Sequence, residues 1–238
     1  MPRCLTKPET CGWNSTATKP SAKNEDMSYQ LEIIDLTNLP PADAVLSSRE
    51  RTFYQTLRFP KRRSEWLGGR FALKQIVGKI CNVPDLKQIE VLPQESGKPQ
   101  LVAGGNILPL AHSITHSNGF AVAAVSSDVP FLGIDLEKVE HRIDAWKHDF
   151  FHPDELTGDS DEFLTALWTQ KEALVKLLGV GLSLRSNEVC CINGTARFAG
   201  RALQIYEELG RPDITLTTSP LLSGFMFTVA VGESRKKG

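Results

Sequence analysis

The chain has 238 residues, 41% hydrophobic and 23% charged, which suits one large globular domain or two small ones sharing a core. Lys+Arg number 27 and Asp+Glu 28, a balance that gives no reason to expect a nucleic-acid partner. The five cysteines have no CxxC spacing, so neither a disulfide framework nor a zinc site is indicated, and no apolar run reaches the roughly 20 residues of a membrane span. A cytoplasmic protein with no membrane contact is expected.

Residues 1–27 are rich in Thr, Ser, Pro, Lys and Asn and read as a disordered tail. Leu31 to Leu36 (LEIIDL) reads as a strand, Ala42 to Leu57 as a helix stopping before Pro60, and Ser64 to Val77 as a second helix with Gly78 near its end. Basic residues crowd this region: Arg51, Arg58, Lys61, Arg62, Arg63, Arg70, Lys74 and Lys79. They are either a solvated face or an attractor of anions. Pro93 to Pro109 reads as loops and short strands; Phe120 to Ser126 (FAVAAVS) reads as a strand buried on both faces.

FLGIDLEK follows as a strand on which Ile134 and Leu136 point one way and Gly133, Asp135 and Glu137 the other. Side chains two apart on one face have β-carbons roughly 7 Å apart, so the carboxylates of Asp135 and Glu137 can converge on a hard cation such as Mg²⁺. Gly133 leaves room on that face for something to approach. An acidic stretch with a short helix near Asp154 comes next. Asp159 with Glu162 resembles a capping box for a helix running to Leu178, closed by Gly179. On that helix Lys171 projects from the middle of an apolar arc, so it must snorkel to water or meet a buried anion. Glu172 sits at the border of the arc with Lys176 one turn on, a rim suited to a metal and phosphate. Trp66 and Lys74 have the same spacing as Trp168 and Lys176, a faint internal echo. His112 and His116, if on a strand, lie roughly 13 Å apart, too far to share an ion. Phe225 to Val231 reads as a final core strand.

Three elements in this order, GKP at Gly97–Pro99 with ITHS at Ile114–Ser117, GIDLE at Gly133–Glu137 and WTQKEALVK at Trp168–Lys176, resemble the 4′-phosphopantetheinyl transferase superfamily in its larger, Sfp-like branch. The resemblance covers about residues 30–232. It implies an α/β (α+β) fold of two similar subdomains related by a pseudo-twofold, each a small antiparallel sheet with packed helices. The halves would be residues 28–130, binding the nucleotide of coenzyme A, and 131–238, carrying the metal-binding acids and catalytic helix. It further implies Mg²⁺ on Asp135, Glu137 and Glu172, and Glu172 and Lys176 in catalysis. Lys171 and Lys176 would contact coenzyme A phosphates. Lys98, Pro99 and His116, with the backbone at Gly97 and Thr115, would hold the nucleotide, helped by Arg63 or Arg70. The implied reaction moves 4′-phosphopantetheine from coenzyme A to a serine of an apo acyl or peptidyl carrier protein, releasing 3′,5′-ADP, in a monomer. A non-catalytic coenzyme A-binding protein and a metal-dependent phosphoesterase are the alternatives. The chain departs from the family where His112 and Ser113 replace an aromatic or proline followed by Asn, and where Thr115 replaces Ser.

Overall fold

A similar run of elements is built twice. The computed structural model describes residues 28–94, 98–180, 184 and 186–235; the tail assigned to residues 1–27 lies outside them, as does Gly97. The first half runs from strand β1 (Gln30–Asp35) through helices α1 (Ala42–Val45), α2 (Ser48–Thr56) and α3 (Pro60–Cys81). It continues with strands β2 (Ile89–Pro93), β3 (Pro99–Ala103) and β4 (Asn106–Ile107), then β5 (Ala111–Ser117) and β6 (Phe120–Ser126). The second half runs from β7 (Phe131–Lys138) through α4 (Asp144–Phe150), a 3₁₀ turn (Pro153–Glu155) and α5 (Asp161–Leu178). It then forms β8 (Val189–Ile192), β9 (Thr195–Phe198), α6 (Gly200–Glu208), β10 (Asp213–Pro220) and β11 (Phe225–Glu233). The sheet orders β1-β6-β5 and β7-β11-β10 follow one rule: first strand, last strand, penultimate strand, all antiparallel. In each half a long helix covers the sheet, and a hairpin, β2–β3 or β8–β9, flanks it.

β6 is buried on both faces, as its unbroken apolar run predicts. Ala123 and Val125 pack under α3 with Leu73, Ile76 and Val77, while Val122 and Ala124 face Leu132, Ile134, Phe227 and Val229 of the other half. The core between the halves is therefore continuous with the core inside each. Helix boundaries moved for local reasons. The expected helix from Ala42 to Leu57 is two helices, because Ser47 starts a new one by capping Glu50 in a reciprocal box. α3 begins earlier than expected, on Pro60 at its first position, and ends at Asn82 in the left-handed conformation. α5 is capped by Ser160 rather than Asp159. α4, α6, β10 and the β8–β9 hairpin have patterns too short or too polar to be read from sequence.

Each half carries one buried ion pair of the same design. Lys74 Nζ meets Glu50 Oε2 at 2.5 Å, and Glu50 also accepts Val91 N at 3.0 Å and Ser47 N at 2.9 Å. Lys171 Nζ meets Glu155 Oε2 at 2.9 Å, and Glu155 also accepts Cys191 N at 2.8 Å and His152 N at 2.7 Å. A carboxylate thus ties the long helix, the strand of the flanking hairpin and the start of a short helical turn to one point. The duplication aligns Lys74 with Lys171 and the left-handed helix ends Asn82 with Gly179. The echo read from Trp66 and Trp168 is out of register with it. Lys171 is only 2% exposed, so the assignment of this lysine to coenzyme A phosphates is corrected: its ammonium is held by Glu155, the buried anion that its place in the apolar arc requires.

Gly133 has a specific steric role. A β-carbon there would stand 2.0 Å from Ala173 O and 2.6 Å from Leu177 N, so what approaches the glycine is the backbone of α5. Two outcomes are expected. Lys171→Met leaves Glu155 buried without its partner and lowers unfolding free energy by about 3–5 kcal/mol in urea titration; an unchanged midpoint would mean the pair is not structural. Gly133→Ala forces α5 away from β7 and lowers the thermal midpoint by several degrees, about 1–3 kcal/mol of overpacking.

Candidate functional site

β5 presents two faces with different partners. His112, Ile114 and His116 face a cleft of about 390 Å³ bounded also by α3, β3 and the end of α5. Ser113, Thr115 and Ser117 face β7, which runs alongside in the same direction. Ser113 Oγ accepts Ile134 N at 3.0 Å and Thr115 Oγ1 accepts Leu136 N at 3.3 Å. The same Thr115 hydroxyl donates to Asp135 Oδ1 at 2.9 Å, and Ser117 Oγ donates to Glu137 Oε2 at 3.1 Å. Ser113 and Thr115, two of the three departures from the family pattern, both keep a polar atom where the seam uses one.

The acids lie on the far side of that seam. Lys176 Nζ contacts Asp135 Oδ1 at 2.6 Å, while Asp135 Oδ2 is buried with no hydrogen-bond partner. Burial, and then the charge of Asp135, push the Glu172 carboxyl up to about 7; the same two causes raise Glu137. Two carboxyls raised by the same third carboxylate share one electrostatic neighbourhood. Among the described residues no three acids, histidines or cysteines already surround a common point closely enough to ligate an ion. The donor chemistry nonetheless fits a hard divalent cation: all ligating atoms are carboxylate oxygens, one of them is an orphan, and the neighbours are destabilised by uncompensated negative charge.

The cleft on the near side is cationic. Its lining includes Arg62, Arg70, Lys98, His112, His116 and Lys176, against the carboxylate of Glu65. The Arg70 guanidinium lies 3.3 Å from the Trp66 ring centroid, its Nε is buried without a partner, and burial pulls its pKa down to about 9. A desolvated cation of this kind is stabilised by an incoming anion. Lys98, whose pKa burial also lowers, lies against Gly179, where a β-carbon would stand 3.1 Å from its Cδ; the left-handed φ of 76° at this helix end favours glycine as well. The Pro99 carbonyl lies 2.8 Å from His112 Nε2, which ties the start of β3 to β5.

The structure therefore brings together Arg70, Lys98, Pro99, His116 and Lys176 in the cleft, and Asp135, Glu137 and Glu172 behind it, with Thr115 between. Arg63 stands apart: its guanidinium covers the Tyr54 ring at 4.6 Å and is not part of the cleft lining. Arg62 takes that place, touching His116 Nε2 at 3.1 Å. Sequence reading missed Arg62, Glu65 and Phe53. Arg62, Glu65, Trp66, Gly69 and Arg70 follow a helical stripe of α3, which is the signal that finds them.

Residues 131–213 match the family described as the 4′-phosphopantetheinyl transferase superfamily, and residues 50–126 match the 4′-phosphopantetheinyl transferase N-terminal domain. The chain is 30% identical to a holo-[acyl-carrier-protein] synthase of a Geobacillus species over 40% of this chain and 84% of that protein. It is 28% identical to a putative 4′-phosphopantetheinyl transferase of Synechocystis over 67% of this chain and 68% of that one. It is also 28% identical to the 4′-phosphopantetheinyl transferase psf-1 of Bacillus pumilus, over 58% of this chain and 60% of that one.

The raised Glu172 pKa has a signed consequence for stability. Its folded-state proton affinity exceeds its unfolded one, so the contribution is favourable below about pH 4.5 and is lost as pH rises through about 7. Without divalent cation, Glu172→Gln is expected to be more stable than the parent at pH 8 by on the order of 1–3 kcal/mol, with little gain at pH 4. Equal stability of the two proteins at both pH values in urea titration would contradict a charged, strained Glu172.

Proposed function

As the chain belongs to the 4′-phosphopantetheinyl transferase superfamily, it transfers 4′-phosphopantetheine to a carrier protein, and we propose that the donor is coenzyme A bound in the cleft between the halves. The observation that carries this reading is the position of Lys176, which lines the cationic cleft and contacts Asp135 of the acid group, so that a polyanion site and a cation site share one wall. In this reading Arg62, Arg70, Lys98 and His116 hold the nucleotide phosphates, and Lys176 sits where the diphosphate meets the acids. Asp135, Glu137 and Glu172 are the residues that would hold Mg²⁺. When bound, the ion would supply positive charge against the phosphoryl oxygens.

The carrier serine oxygen attacks the phosphorus that bears the pantetheine arm. The bond from that phosphorus to the adenosine-side phosphate oxygen breaks, and 3′,5′-ADP leaves. A serine hydroxyl needs a base at neutral pH. Glu172 is assigned that role, as the carboxylate that stands in the field of both Asp135 and Lys176, where the diphosphate meets the acids. Lys176 offsets charge on the departing phosphate.

Mass spectrometry of an apo carrier protein after incubation with the protein, coenzyme A and Mg²⁺ tests this. A gain of roughly 340 Da is expected, absent with EDTA or with a serine-to-alanine carrier. Glu172→Ala should abolish the gain while the protein still unfolds cooperatively; turnover near that of the parent would refute the base assignment. Coenzyme A binding without any transfer to several unrelated carriers would favour a non-catalytic binding protein.

A further inference from the structure

Among the described residues that line the cleft Glu65 is the one carboxylate, and the proposed transfer gives it no task. Its side chain, only 13% exposed, places Oε2 at 3.8 Å from His116 Nδ1, ion-pair range but longer than a hydrogen bond, and Oε1 at 3.9 Å from the exposed Lys61. On the other edge of the same ring, His116 Nε2 stands 3.1 Å from Arg62 Nη1. A guanidinium has donors only. Nε2 must therefore accept, the ring proton sits on Nδ1 facing Glu65, and His116 is neutral as the structure stands. Burial, which lowers the imidazole's proton affinity, agrees with this; among the charges around it, Glu65 and Asp135 raise that affinity while Arg62 and Lys176 lower it.

A phosphate entering the cleft changes the balance. It competes for Arg62, which pairs with phosphate through parallel hydrogen bonds, and it leaves the Nε2 lone pair facing an anion. Two acceptors face to face are unfavourable. A proton on Nε2 turns the contact into a charge-assisted hydrogen bond, and the Glu65 carboxylate on the far edge balances the imidazolium so formed. We infer that Glu65 is a positioning residue: it faces the Nδ1 edge of His116 in the free cleft and supports uptake of one solvent proton by His116 when a phosphate monoester binds. The inference rests on the reading of this cleft as the nucleotide site. It makes the cleft selective for a terminal phosphate monoester and makes binding tighten as pH falls toward neutrality.

Isothermal titration with 3′,5′-ADP, in buffers of different ionisation enthalpy and without divalent cation, counts the protons taken up. At about pH 7.5, above the second ionisation of a phosphate monoester near 6, the ligand itself contributes little. The parent protein should take up a proton count approaching about one, and its Kd should weaken as pH rises by up to about tenfold per unit. Glu65→Gln, which keeps shape and an acceptor oxygen, should lose at least about half of that uptake and flatten the pH dependence. Nucleotide binding with no proton uptake in the parent protein overturns the inference while leaving the site assignment intact; uptake unchanged in Glu65→Gln overturns the role of Glu65. Failure of 3′,5′-ADP to bind at all overturns the nucleotide-site reading and the inference together. The parent protein's own buffer dependence decides the proton question even if the variant does not fold.

Discussion

The hydroxyls of Ser113, Thr115 and Ser117 do across the seam between the halves what backbone carbonyls do inside a sheet. β5 and β7 are the edges of two different sheets, and an unsatisfied edge is a liability in any β structure. Side-chain oxygens at every second position of β5 accept Ile134 N and Leu136 N and donate to Asp135 and Glu137, so these two edge amides of β7 are satisfied without a ladder. The period of two on β5 then leaves His112, Ile114 and His116 on its other face. One strand thereby lines the cationic cleft and holds the acids from behind.

The depth of the site depends on how closely α5 can lie on β7. Gly133 allows that approach, and the Lys171–Glu155 pair locks the helix to the β8–β9 hairpin, so that Glu172 and Lys176 stay beside Asp135. Holding three carboxylates together, Asp135 buried and Glu137 and Glu172 half-buried, works against folding; Glu172 and Glu137 show this in their raised proton affinities. The compensation inside the protein is partial: Lys176 and Thr115 satisfy one oxygen of Asp135 and leave the other without a partner. That imbalance is the physical reason for assigning a cation to this place.

Much of this was legible in the sequence because each signal was local. The alternation in FLGIDLEK oriented Asp135 and Glu137, the apolar run FAVAAVS identified the strand buried on both faces, and the place of Lys171 in an apolar arc called for either water or a buried anion, of which the structure shows the anion. The identity of that anion, Glu155, depends on a turn outside the helix and was not readable. The resemblance gave Lys171 and Lys176 one role, yet one is sealed in the core and the other lines the cleft, because a difference of five residues puts them on different sides of α5. Arg62 and Arg63 are neighbours in a basic run, and only the 100° step of α3 turns one toward His116 and the other onto Tyr54. The duplication was hidden for a similar reason: its register is set by the buried pairs and helix ends, not by the tryptophans.

In the proposed function the seam hydroxyls orient Asp135 for a cation that works with an anion in the cleft. Calorimetric titration of coenzyme A with and without Mg²⁺, on the parent protein and on Thr115→Val, tests it most directly. The account predicts that Mg²⁺ tightens binding to the parent protein, and that Thr115→Val loses about 10–100-fold in metal affinity while its metal-free coenzyme A affinity stays within about twofold. An undiminished Mg²⁺ effect in Thr115→Val would contradict it.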